Sequence, residues 1–150
     1  MDFEGDVLFV DSPDGGDLVL KDGLIECDKS FKTAVFISLF GGNIDDPAVI
    51  ESSKSWWGNS IGDKETEVRS RFQFIISGLP LSTKNMKLAA EAIKIDLQWM
   101  IESKVCDDIQ ISGIIADFKT ADFTVNILVN NELTDSIEFK VNWEAMRNGI

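Results

Sequence analysis

From Asp108 onward the chain is written almost wholly in alternation. "DIQIS", "DFTVNILVN" and "DSIEFKVNW" each place an apolar side chain at every second residue. These are Ile109 and Ile111, then Phe123, Val125, Ile127 and Val129, then Ile137, Phe139, Val141 and Trp143. A period of two puts such side chains on one face of a pleated strand. The links "KTAD" and "NNELTD" are turn-like and of hairpin length. The three runs therefore predict an antiparallel meander, one face packed on helices and the other meeting water or a partner. In the first run the phase changes at Gly113, after which Ile114, Ala116 and Phe118 carry it. A glycine at a phase change predicts a β-bulge.

Two segments have the composition to cover that sheet. "DKSFKTAVFISLFGG" (residues 28–42) is apolar around most of a helical circumference, which predicts a core helix buried on several sides. Asp28 or Ser30 is its expected N-cap, and Gly41 its expected stop in a left-handed conformation. The second segment follows Pro80: "STKNMKLAAEAIKIDLQWMIESK" predicts one helix of about six turns capped by Ser82 or Thr83. Met86, Ala90, Ile93, Leu97 and Met100 form its main apolar stripe, and Leu88, Ala92, Ile95 and Trp99 a second. Near the start, "DVLFV" and "DLVLKDGLI" flank the turn chemistry of "DSPDGG", a predicted hairpin. Phe72, Phe74 and Ile76 alternate and read as a short strand ending at Gly78. The expected fold is α+β and a single domain over residues 1–150. It comprises an N-terminal β-hairpin and two main helices packed on a C-terminal three- to four-stranded antiparallel sheet.

Charge narrows the partners. The net charge is −12, and residues 1–30 alone hold nine acids against Lys21 and Lys29. Phosphate binding needs clustered Lys and Arg, so nucleic acid is excluded as the main partner. The acidic start reads as a solvated face or as a docking face for a basic neighbour. No apolar run approaches the ~18–20 residues of a membrane helix, so no membrane is expected. The first ten residues lack a basic n-region, which fits synthesis in the cytoplasm. Cys27 and Cys106 lack CxxC spacing and read as two reduced, packed thiols.

The chain has no histidine, which removes His-dependent triads and most zinc sites. No GxxxxGK[ST], GxGxxG or GxSxG run is present. The expectation is no enzyme, no cofactor and no metal. What stands out instead lies in residues 43–71, a long loop by its lack of period, where "SSKSWWGNSIGD" sets Trp56 beside Trp57. Adjacent side chains diverge by about 100° in a helix and point to opposite faces in a strand. Both rings therefore cannot enter one pocket by regular geometry. Either both cover the core beneath the loop, or one pins the loop and the other anchors a partner, since Trp is enriched at interface hot spots.

The order "DGGDLVLKDGLIECD", "FKTAVFISLFGG", "SWWGNSIGD", "SRFQFIISGLPLSTKNM", "AAEAIKIDLQWMIESKVCDDI" and the closing "FKVNW" resembles the Mu-like phage baseplate proteins. These are small tail components distantly similar to the lysozyme-like baseplate wedge protein of T-even phages. The resemblance runs from about Asp6 to Trp143. It implies a structural part of a contractile phage or phage-derived tail, located in the virion baseplate. The implied partners are other baseplate wedge subunits and tail tube or sheath proteins. By position, Trp56, Trp57 and Gly58 match the family's "WWG"; Asn59 stands where Asp is usual, and Arg71 begins the segment before the second helix. The Glu-Pro-Arg tripeptide of the T-even relative is absent from this chain. The competing functional readings are a cell-wall glycan hydrolase of the tail and a non-phage adaptor on the same fold.

Overall fold

The computed structural model describes residues 6–12, 15–42, 61 and 68–147. It is an α+β fold. Six short strands open it: β1 (Asp6–Val7), β2 (Phe9–Ser12), β3 (Gly15–Leu18), β4 (Leu20–Lys21), β5 (Leu24–Ile25) and β6 (Cys27–Asp28). Four helices follow: α1 (Lys32–Phe40), α2 (Arg71–Gly78), α3 (Thr83–Asp96) and α4 (Gln98–Glu102). The chain closes with β7 (Asp108–Ile115), β8 (Thr120–Val129), β9 (Glu132–Asn142) and α5 (Trp143–Arg147).

The closing strands form the predicted meander, an antiparallel sheet in the order β7-β8-β9. Asn130 and Asn131 both adopt positive φ (53° and 61°) and make a two-residue turn, so β9 starts at Glu132, earlier than the "NNELTD" link implied. Phe123, Val125, Ile127, Ile137 and Val141 turn inward and are buried. Gly113 is not a bulge. It pairs in unbroken register with Phe123, and the one shift in the sheet lies between Ile127 and Leu128. The phase change instead leaves Ile114 on the open face, 64% exposed. Gly113 is small because a Cβ there would come within 2.8 Å of Met86 Cε and 3.1 Å of the Phe123 ring.

The N-terminal strands make more than one hairpin. β2 pairs with β3 as predicted, but "DLVLKDGLI" breaks at Val19 and reverses at Asp22–Gly23, whose φ values are 53° and 79°. Asp-Gly with both φ positive is the turn whose twist suits a two-stranded ribbon. Three ladders (β1-β6, β2-β3 and β4-β5) therefore radiate from one junction. Leu8 N donates to Glu26 O (2.9 Å), Glu26 N to Val19 O (2.8 Å) and Val19 N to Leu8 O (3.2 Å). This closed ring pairs every backbone donor at the branch point, where an orphan would be costly. Cys27 lies exposed on β6, so only Cys106 is packed as expected; both thiols are free.

No residue of α1 is exposed, in keeping with a core helix. Its caps differ from expectation. Phe31 is the N-cap and has no side-chain bond of its own; its N–H donates instead to Asp135 Oδ2 of β9, 104 positions away (2.8 Å). Thr33 Oγ1 donates to Val7 O, joining the helix to β1 (2.5 Å). Gly41 is right-handed (φ −77°), so its glycine is required for space: a Cβ would lie 2.4 Å from Ile37 O and 2.9 Å from Val68 Cγ1. Gly41→Ala should therefore lower stability by about 1–3 kcal/mol. Gly78→Ala, where a Cβ meets nothing within 4 Å, should be neutral or stabilising by up to ~1 kcal/mol. Thermal melts that shift the same way in both variants would contradict this.

Residues 71–78 are a helix, not the strand that Phe72, Phe74 and Ile76 implied. Phe72 and Ile76, four apart, are buried, whereas Phe74 is exposed. The overlooked signal is Ser70-x-x-Gln73, a helix-start pattern: Ser70 Oγ accepts from Gln73 N (2.9 Å). The predicted six-turn helix is also interrupted. α3 ends at Asp96, Leu97 adopts φ −96°, ψ 0°, and α4 resumes at Gln98. Ser82 is the N-cap, as expected, accepting from Asn85 N (3.2 Å). Met86, Ala89, Ala92, Ile93, Leu97 and Met100 are buried, while Leu88, Ile95 and Trp99 of the second stripe are exposed.

The helices bury one common face against the sheet. At its centre Phe72 meets Phe123 (5.2 Å between ring centroids), Phe40 (5.6 Å) and Phe139 (6.0 Å), each close to edge-on. That is a favoured arrangement for aromatic quadrupoles. Trp143 closes the far end, buried, with its indole N–H on Leu79 O (2.7 Å). No described helix is long and apolar enough to cross a membrane.

Candidate partner interface

Of the residues picked out by sequence, Trp56, Trp57, Gly58 and Asn59 lie outside the described residues; Arg71 is described. Arg71 is the first residue of α2 and is exposed. A cation is disfavoured at the positive end of a helix. Asp96 of α3 offsets it: its Oδ1 accepts from Arg71 N (3.0 Å) and its Oδ2 from Phe72 N (2.9 Å). Asp96 thus acts as a long-range cap on α2, satisfying backbone donors that have no partner within the helix.

Ser70 completes the node. Its Oγ lies 2.6 Å from Leu39 O and 3.1 Å from Asp96 Oδ2, and its N–H donates to Gly42 O (2.5 Å). One hydroxyl proton serves two acceptors here, the shorter contact being to Leu39. Because Ser70 N is taken by Gly42, Gln73 does not complete the reciprocal capping bond, and its buried Oε1 has no hydrogen-bond partner among the described residues. The result clamps the chain on both sides of residues 43–67: Gly42 and Ser70 are bonded to each other and to the core. Burial pushes the Asp96 carboxyl above its ordinary pKa, outweighing the opposing pull of the Phe72, Arg71 and Ser70 donors and the Arg71 charge.

Beside the clamp, Trp99 donates its indole N–H to Ser38 Oγ (3.0 Å), which itself donates to Ala34 O (2.8 Å). The ring stays 42% exposed, in line with Ile95 and Leu88. Asp96 and Ser70 were not singled out from sequence, and Trp99 was read only as part of the second apolar stripe of its helix. Ser70 had a readable cap signal, but Asp96 had none, because its partners lie 24 to 26 positions away.

Other exposed apolar side chains lie on the β4-β5 ribbon and around the β7-β8 turn. Leu20 and Leu24 are 66% and 74% exposed, and Phe118 is 83% exposed beneath Lys119 Nζ, 5.2 Å from the ring centroid. A trough of about 440 Å³ runs over the open face of the sheet, lined by Ile114, Asp122, Thr124, Glu138 and Lys140 among others. Lys140 and Asp122 face each other there at 3.8 Å. Among the described residues no three His, Cys, Asp or Glu side chains converge as metal ligands would. Comparison with protein-family models, with characterised proteins and with solved structures finds no match.

Proposed function

We propose that this chain is a structural component of a contractile phage or phage-derived tail baseplate. It acts by assembling with other wedge subunits and with tube or sheath proteins, after synthesis in the bacterial cytoplasm. The observation that carries the assembly reading is the pairing of a filled core with large apolar side chains left on the outside. Phe72, Phe123 and Trp143 are fully enclosed, while Leu20, Leu24 and Phe118 are mostly exposed. Leu20, Leu24 and Ile25 stand exposed together on the β4-β5 ribbon, and an exposed apolar patch supports a contact with another chain. The baseplate assignment itself rests on the sequence resemblance that runs through "SWWGNSIGD" and "QWMIESKV". On this reading Trp56 and Trp57 supply contacts to a neighbouring subunit.

Quantitative mass spectrometry of tail particles, purified after prophage induction from cells that carry the gene, tests the proposal. The expected result is this chain at a copy number well below those of the sheath and tube subunits. Particles that assemble fully in its absence would overturn the proposal.

A further inference from the structure

β7 forms one edge of the closing sheet, and among the described residues it pairs only with β8. Ala116 N donates to Thr120 O (3.0 Å), which sets the alternation of the ladder. Gln110, Ser112 and Ile114 therefore turn their backbone groups toward β8, while those of Ile111, Gly113 and Ile115 point away from the sheet. Residues 112–118 are all exposed, including Ile114 (64%), Ile115 (43%) and Phe118 (83%). Sheet edges are commonly guarded by charge, proline or a bulge. β9, at the opposite edge, carries Glu132, Asp135, Glu138 and Lys140, and Asp135 holds the N-cap of α1. β7 lacks such guards. From Ile109 to Ala116 there is no charge and no proline, and the register with β8 is unbroken.

We propose that β7 is a self-pairing edge. Two copies of this chain join β7 to β7, antiparallel about a two-fold axis at Gly113, and so double the three-stranded sheet. A row of unpaired donors and acceptors at strand spacing fits another strand, and an antiparallel edge is complementary to its own copy. In this register Gly113 meets Gly113 of the second copy, and Ile111 meets Ile115. The outward backbone groups of all three residues then find partners, and the exposed Ile115 is covered. Asp107 comes to lie across from Lys119 of the second copy, whose 3.5 Å contact with Glu144 leaves donors to spare. The register two residues away would oppose Asp107 to Asp117 instead, like charge against like. The net charge of −12 opposes self-association, but salt at about 0.15 M screens it beyond ~8 Å, and the edge itself is neutral. The pairing requires no other protein and is independent of the baseplate reading.

Sedimentation equilibrium of the full chain tests the proposal. The expected result is a reversible dimer with a Kd on the order of 1–100 µM, as suits an interface of small area. Ile115→Pro removes an outward N–H that β8 does not use, and Ile115→Lys puts a charge in the seam. Each should weaken the dimer about tenfold or more while the thermal melt is retained. The register is read with Ser112→Cys and Ile114→Cys together, positions that face each other between copies on the open side of the sheet. A Cys27→Ser background removes the exposed native thiol. Oxidation should give a covalent dimer from the pair and from neither cysteine alone. This crosslink decides the matter if an Ile115 variant fails to fold. A chain monomeric up to about 1 mM, a dimer left intact by both Ile115 variants, or a pair that does not crosslink would overturn the proposal. So would a covalent dimer from Ser112→Cys alone, the mark of the register two residues away.

Discussion

Phe72→Ala should cost about 3–5 kcal/mol of folding stability, the largest loss expected from a single substitution here. The ring is wholly enclosed, and it is the point at which α1, α2, β8 and β9 meet, through Phe40, Phe123 and Phe139. Truncation removes the burial of a large side chain and three edge-to-face contacts at once. It also leaves a cavity that rigid neighbours on three other elements cannot close. Phe72→Leu keeps most of the volume and should lose roughly 1–2 kcal/mol. Urea unfolding of both variants checks the pair. A Phe72→Ala loss below about 1 kcal/mol, outside the usual range for such a change, would mean that α2 is not seated on the sheet as described.

Asp96→Ala should be the second most damaging change, by about 1–3 kcal/mol, because it strips the acceptor from Phe72 N and Arg71 N at the start of α2. Its pH dependence is distinctive. Burial raises the Asp96 pKa in the folded chain, so the native state holds this proton more tightly than the unfolded state does. The part of its contribution that is linked to this proton is then fully present below the unfolded value of about 3.9 and is lost as pH rises through the raised native pKa, while the acceptor bonds to Arg71 N and Phe72 N remain. Asp96→Asn has no such titration. The stability of the parent chain relative to Asp96→Asn should therefore fall as pH rises across that window. Other carboxylates titrate alike in both proteins and cancel. Denaturant unfolding at stepped pH measures the difference, and parallel curves would refute the assignment of a raised pKa.

Local patterns in the chain were enough for much of the fold. Alternation over Phe123–Val129 and Ile137–Trp143 determined the sheet and its buried face, because a period of two leaves one solution for those side chains. The all-round apolar character of residues 31–40 determined a helix with no exposed position. Ser82 determined where α3 starts. The acidic bias of residues 1–30 determined the sign of charge around the N-terminal strands. Each of these is set by neighbours within a few positions.

Tertiary structure decided the rest. Residues 71–78 carry both a strand-like alternation and a helical Phe72/Ile76 spacing; the cap from Asp96 and the phenylalanine cluster select the helix. Gly41 and Gly113 read as a stop and a bulge, but each is small because a distant side chain or a carbonyl occupies the space of its Cβ. The branch at Leu8, Val19 and Glu26 and the clamp of Gly42 on Ser70 are bonds between backbone groups, which every residue carries alike. Sequence could not mark them. Side-chain pattern specifies which face is buried, whereas pairing between remote segments is settled only when the chain has packed and every buried donor must find an acceptor.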